Sequence, residues 1–302
     1  MSNLEQVRRG LSSLASLGLL LWVSGCLSAK ADNASTGGAE GVVHPVASGG
    51  RAAVAQGGAG GGGNGGGAGA PFACESTAET NTMVAVAAGD FMMGCNAAID
   101  STCNPNEQPG HAVTVGAFEI DVTEVTQDSY TTCVNAGVCA APSCEWDCAA
   151  TGLPASCLDK SQAKAYCGWA DKRLPTEAEW EKAARGSDGR IYPWGNNEPD
   201  CQLTNMAGCA DQPEPVGSHP SGVSPYGVLD MAGNMVEMVA DSYDAEYYAT
   251  APIVDPQGPV DGDRYVGRGG GFKSTAEWQR TSVRDWYDLA DTSSTLGFRC
   301  AR

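Results

Sequence analysis

The chain has 302 residues, 36 acidic against 18 basic side chains for a formal net charge of −18, and 13 cysteines. A balance that acidic excludes a nucleic-acid partner, because phosphate binding needs clustered lysine and arginine. The length allows one large domain or two small ones, either able to bury a core.

The first segment places Arg8 and Arg9 before an apolar run from Leu11 to Val23, followed by Ser24, Gly25 and Cys26. It reads as a secretory signal, too short and too one-sided to span a membrane. The ending Val23-Ser24-Gly25-Cys26 resembles the bacterial lipobox, which implies a lipidated Cys26 and a protein held in the cell envelope by an N-terminal lipid only. The alternative is an ordinary cleaved signal that ends near a cysteine, and both readings lead to an oxidising compartment. With Cys26 set aside, 12 of the 13 cysteines remain, an even number that an exported chain uses as a disulfide framework. Zinc is disfavoured, since no paired C-x-x-C spacing occurs and the histidines are only His44, His111 and His219.

Residues 27–72 are a Gly/Ala-rich linker with GGAGGGGNGGGAG at its centre, a composition that tethers and does not fold. The folded domain is expected over 73–302 as a monomer. MVAVAAGDFMMG reads as a strand, a Gly-Asp turn and a second short strand, and HAVTVGAFEID alternates as one half-buried strand. SQAKAYCGWADK has helical spacing with Asp159 and Gln162 as a cap, and Thr176 with Glu179 forms a capping box for a helix ending at Gly186. From Asp188 onward turn residues dominate, anchored by Trp194, Tyr226, Trp278, Trp286 and Phe298. Cys201 with Cys209 and Cys95 with Cys103 are close enough to close small loops, while Cys74, Cys133, Cys139, Cys144, Cys148 and Cys157 stay unassigned.

Taken in order, GDFMMG, FEIDVTEVTQDSY, AYCGWADKRLPTEAEWEKAARG, YPWG, PVGSHPSGVSPYGVLDMAGNMVEM, RYVGRGGGF and LGFRCAR resemble the formylglycine-generating enzyme, or sulfatase-modifying factor, family over about residues 83–302. The resemblance implies an irregular, disulfide-supported α/β (α+β) fold related to C-type lectins. It also implies a Cys167–Cys300 disulfide, and an oxidase that makes formylglycine with copper(I) on two cysteines five apart. Thiolates suit copper(I) because it is a soft ion. Aligned on Gly269 to Phe272, those two positions are Ser274 and Gln279, and no cysteine lies between Cys209 and Cys300. Copper is therefore not expected.

The family's calcium motif falls on Asp230, Gly233, Met235 and Glu237, two carboxylates with two backbone carbonyls, which are hard oxygens of the kind calcium takes. The plainer alternative is a turn with Glu237 solvated. A weaker second set is Asn205, Met206 and Asp211, against which stands a disulfide-closed turn with Asp211 exposed. Ser274 as a nucleophile would need a base, and no histidine follows His219, so an ordinary surface serine is the simpler account. Trp278, Trp286 and Tyr287 either line a groove for a protein or carbohydrate ligand or belong to the core. The expected function is recognition or scaffolding on an exported lipoprotein, with an active oxidase of the family as the alternative.

Overall fold

The computed structural model describes Cys74, Ser76 and residues 81–302, so the signal segment, Cys26 and the 27–72 linker lie outside the described residues. Eight strands and three α-helices occupy the rest, joined by long irregular segments. Among the described residues no helix is long and apolar enough to cross a membrane. The α/β reading of low regular content holds.

The first half differs from the simplest strand reading. β1 (Met83–Val86) and β2 (Gly89–Met93) do not form a hairpin: β1 pairs antiparallel with β4 (Phe118–Asp121), and β2 with β3 (His111–Val115). Gly89 and Asp90 lie inside β2, not in a turn. The run HAVTVGAFEID is two strands because the chain breaks at Gly116 and Ala117, where the Gly116 N–H donates to Asp255 Oδ1 at 2.7 Å. The turn-rich half supplies a four-stranded sheet in the order β7 (Asp285–Asp288), β6 (Arg264–Arg268), β5 (Val236–Ser242), β8 (Leu296–Gly297), with only β5–β8 parallel.

Both expected helices form with their caps. Asp159 and Gln162 close a capping box on α2 (Lys160–Trp169), and Thr176 and Glu179 close one on α3 (Glu177–Arg185). The structure adds α1 (Gln127–Asn135), whose N-cap Thr126 accepts from the Ser129 N–H. All nine residues of α3 are buried, including three glutamates, a lysine and an arginine. A helix that polar is interior only because its charges are matched. Glu177 meets Arg284 at 2.7 Å and Arg268 at 3.2 Å, and Glu181 meets Arg268 at 2.5 Å and Arg185 at 2.7 Å. Burial opposes the ionisation of Glu177, but the Arg284 and Arg268 guanidiniums outweigh it and hold the carboxyl below its ordinary range. Two apolar clusters flank this network, one around Phe91, Ile120, Trp180 and Val266, the other around Tyr130, Tyr166, Leu296 and Phe298.

Six disulfides complete the frame. Cys167–Cys300, Cys201–Cys209 and Cys95–Cys103 are bonded, and the six unassigned cysteines pair as Cys74–Cys148, Cys133–Cys139 and Cys144–Cys157. Cys167–Cys300 spans 133 residues and Cys201–Cys209 spans 8. The chain-entropy relation then gives roughly 5 kcal/mol for the first and roughly 2.5 for the second. Chemical denaturation should show Cys167→Ser/Cys300→Ser losing about twice the stability lost by Cys201→Ser/Cys209→Ser; equal losses would contradict that account.

A second expectation concerns Asp241 on β5, whose Oδ2 accepts the Glu177 N–H at 2.8 Å. Burial and the neighbouring Glu177 carboxylate push its carboxyl from 3.8 up to about 7. The native state therefore holds a proton that the unfolded chain has released. This contribution is complete below the unfolded value and is lost as pH rises through the folded one. Asp241→Asn keeps the acceptor and removes the titration, so its thermal midpoint should gain on the parent's between about pH 4 and about pH 8. A difference independent of pH would refute this.

Candidate functional site

The segment from Arg268 to Arg280 is placed by the glycine triplet. Gly269 and Gly270 have φ of +88° and +64°. A Cβ on Gly269 would stand 3.1 Å from Trp180 Cζ2, and one on Gly270 would stand 2.7 Å from the Trp278 carbonyl oxygen. Only glycine lets the backbone pass between α3 and the turn that carries Trp278. The Phe272 N–H then donates to the Asn234 carbonyl at 2.9 Å, and the Gly271 N–H donates to Ser274 Oγ at 3.0 Å.

Ser274 and Gln279 are brought side by side. Gln279 Nε2 donates to the Ser274 carbonyl at 3.4 Å, and the same carbonyl accepts the Ala207 N–H at 3.0 Å. Ser274 is half-buried and Gln279 fully buried, with Oε1 lacking a hydrogen-bond partner. A hydroxyl and a carboxamide are hard, neutral donors that do not fit copper(I). His219 Nε2 lies 2.8 Å from Glu214 Oε2, in a separate pair. Among the described residues the one metal-like His/Cys/Asp/Glu group is Cys95, Asp100 and Cys103, but its two sulfurs are joined as a disulfide and offer no thiolate.

The loop Asp230–Met235 curves tightly, with Asp230, Gly233 and Asn234 at φ of +57°, +79° and +58°. A Cβ on Gly233 would fall 2.0 Å from Thr204 Oγ1, so this position admits no side chain. Asp230 Oδ2 accepts the Gly217 N–H at 2.6 Å. Asn234 is the hub: its Oδ1 accepts the Glu214 N–H at 3.0 Å and Asn205 Nδ2 at 3.4 Å, while its Nδ2 donates to Glu124 Oε1 at 3.1 Å. Met235 is fully buried.

Glu237 is neither solvated nor free for a cation. Arg299 grips it with two hydrogen bonds of 2.7 and 2.6 Å, and Trp180 Nε1 donates to it at 2.9 Å. In the weaker set, Asn205 is buried with Oδ1 unpartnered, the Met206 carbonyl accepts the Cys209 N–H at 3.0 Å, and Asp211 is exposed. The fold thus draws Asn205 against the Asp230–Met235 loop and leaves Asp211 outside. Glu124, which the sequence did not single out, joins the group. Burial, then the Asp230 and Glu237 carboxylates, push its carboxyl well above the ordinary range. In the sequence it is one acid before a valine in VTEVT, with no spacing to flag it. Oxygen donors of this kind suit calcium, though with Glu124 facing Asp230 and Glu237 taken by Arg299.

The aromatic residues do not share one surface. Trp286 and Tyr287 are consecutive in β7 and so face opposite sides of the sheet. Trp286 is 39% exposed beneath the Arg264 guanidinium, 3.5 Å from the ring centroid, whereas Tyr287 stacks on the buried Tyr265 at 5.9 Å. Trp278 is half-buried in the turn beside Gly270.

Comparisons with known proteins agree with this frame. A hercynine oxygenase of Mycolicibacterium smegmatis is 27% identical over 266 residues, covering 72% of this chain and 60% of that protein. A formylglycine-generating enzyme of Streptomyces coelicolor is 38% identical over 159 residues, covering 47% of this chain and 50% of its own length. The chain therefore spans 60% or less of these relatives. The solved structure of PvdO from Pseudomonas aeruginosa superposes with a TM-score of 0.65 at 26% identity, over 78% of this chain and 99% of that one. The model of the sulfatase-modifying factor enzyme 1-like domain matches residues 70–302, and the chain belongs to that family.

Proposed function

We propose that this chain is an exported, lipid-anchored member of the family whose domain serves in recognition or scaffolding and lacks copper–cysteine oxidase chemistry. The observation that carries this reading is the pairing of Ser274 with the buried Gln279 at the two positions where the resemblance puts copper-binding cysteines. The surrounding frame is kept: the glycine triplet still threads past Trp180, and the Cys167–Cys300 disulfide closes the C-terminus. What is replaced is the soft donor pair, and copper(I) affinity depends on softness. A protein or carbohydrate ligand fits such a role, with Trp286 and Arg264 as the exposed stacked pair available to it. Calcium, held at the Asp230 loop, would brace that loop through oxygen ligands. Anchoring through Cys26 would place the domain, on its linker, on the order of 35 Å from the membrane.

The alternative, an active oxidase, is favoured by the names of the relatives and makes the opposite prediction. Metal analysis of the purified protein should find no stoichiometric copper, and a cysteine-containing sulfatase peptide should emerge without formylglycine. Stoichiometric copper or formylglycine above the no-enzyme background would refute the recognition reading.

The site assignment has its own check. In the reduced Ser274→Cys/Gln279→Cys double variant, two thiolates occupy the adjacent positions, and about one copper(I) per chain should bind where the parent binds none. Failure of the reduced, folded variant to take up copper(I) would count against these being the family's metal positions.

A further inference from the structure

The outer edge of a strand leaves a row of main-chain N–H and C=O groups that must find partners or water. Several edges of this domain are covered by the chain itself. β2 lies against α3, where Lys182 Nζ donates to the Gly89 carbonyl at 2.8 Å and Arg185 Nη1 to the Met92 carbonyl at 3.2 Å. β3 is bounded by residues 253–255, with the Thr114 N–H donating to the Ile253 carbonyl and the Asp255 N–H to the Thr114 carbonyl. In β7 the N–H groups of Trp286 and Asp288 are taken by the Asp285 and Asp291 carboxylates at 2.8 and 3.0 Å.

β1 is different. Its partner β4 spends the backbone groups of Glu119 on Arg302 and the Asp121 N–H on the Cys300 carbonyl, so Glu119 and Asp121 face away from β1. The Val122 N–H donates to the Thr82 carbonyl at 2.9 Å and sets the phase of the ladder. Bonded positions alternate in an antiparallel pair, so Val84 and Val86 turn to β4 while Met83 and Ala85 turn outward. Among the described residues nothing bonds the Met83 and Ala85 main chain on that side. The strand has no charge, proline or bulge to deter pairing. Beside it runs a groove whose walls include Ala85, Ala87, Ala117, Phe118, Glu119 and Arg302.

We propose that β1 pairs antiparallel with β1 of a second copy of this chain, about a two-fold axis at Val84. The strand is self-complementary, as such an interface requires. Met83 exchanges its outward N–H and C=O with Ala85 of the second copy, and Ala85 does the same with that copy's Met83. Val84, which packs on the core cluster of its own chain, stands across from its equivalent as a β-branched pair. Each Met83 lies opposite Ala85 and diagonal to Ala87 of the other copy, so a long, adaptable side chain meets a groove walled by alanines. Charge permits the contact. Two chains of −18 repel each other, but β1 is uncharged and the groove's Glu119 and Arg302 are paired at 2.5 Å. An interface built on one short strand is smaller than the roughly 1,600 Å² of a standard one, which puts its dissociation constant above about 1 μM. The inference is independent of the recognition role, and it replaces the monomer expected from the sequence.

The test is sedimentation equilibrium of the full chain over about 1–500 μM. The parent should pass from monomer to dimer across this range. Ala85→Pro removes an outward N–H that β4 does not use, and Ala85→Lys puts a charge on the edge. Each variant, with an unchanged circular dichroism spectrum, should weaken dimerisation at least about tenfold. If Ala85→Pro fails to fold, Ala85→Lys supplies the same readout from a change at an exposed residue. Register is read by oxidative cross-linking in a Cys26→Ser background. Val84→Cys should form a disulfide-linked dimer, its two sulfurs facing each other across the axis, and Thr82→Cys should not. A parent that stays monomeric at the highest concentration overturns the proposal, and so does a dimer that the folded Ala85 variants leave unchanged. Equal cross-linking at residues 82 and 84 overturns the two-fold at Val84.

Discussion

The fold depends on a charged helix buried in its middle. α3 carries Glu177 and Glu181 into the interior, where Arg268 from β6, Arg284 from the strand entry after the turn, and Arg185 from the helix itself meet them. Removing any one partner would leave an uncompensated charge in a low-dielectric interior, a loss of about 3–5 kcal/mol for a pair of this kind. Arg268 also donates to the carbonyls of Thr281, Ser282 and Val283, so one guanidinium fixes both the helix and the returning chain. A domain with so little regular secondary structure is held by such directed contacts and by its disulfides more than by long ladders.

That arrangement also sets the shape of the candidate site. The glycine triplet begins at the residue after Arg268 and passes Trp180 on α3, so the position of Ser274 and Gln279 is set by the ionic network behind them. The side chains at those two positions add little to the frame: Ser274 caps its own turn and Gln279 bonds back to it. A hydroxyl and a carboxamide at these two positions are held by bonds within the turn itself. Trp180 connects the same network to the second region, because its indole N–H donates to Glu237 and Arg299 secures Glu237 from the other side.

Much of the fold was legible because its signals are local. The boxes Asp159/Gln162 and Thr176/Glu179 satisfy helix ends within a single turn, and both helices form where those residues stand. Strand partners were not legible. MVAV and GDFMM are close neighbours in sequence, yet β1 and β2 pair with β4 and β3, because alternation fixes which face a residue takes and not which strand lies beside it. β5 to β7 were hidden among turn residues for a related reason: each is short and stabilised by cross-strand neighbours far along the chain.

The sequence by itself determined the family frame, the absence of cysteines at Ser274 and Gln279, and the small loops closed by Cys201–Cys209 and Cys95–Cys103, since each rests on residue identity or on near spacing. Cys133–Cys139, closer still, stayed unassigned. The tertiary structure decided the partners of buried charge. VTEVT carries no mark that Glu124 will face Asp230, nor does LGFRC show that Arg299 will claim Glu237. Charges are matched across long stretches of chain here, Arg299 with Glu237 over 62 residues and Arg280 with Glu107 over 173. Such pairings follow from packing in three dimensions, which no local pattern encodes.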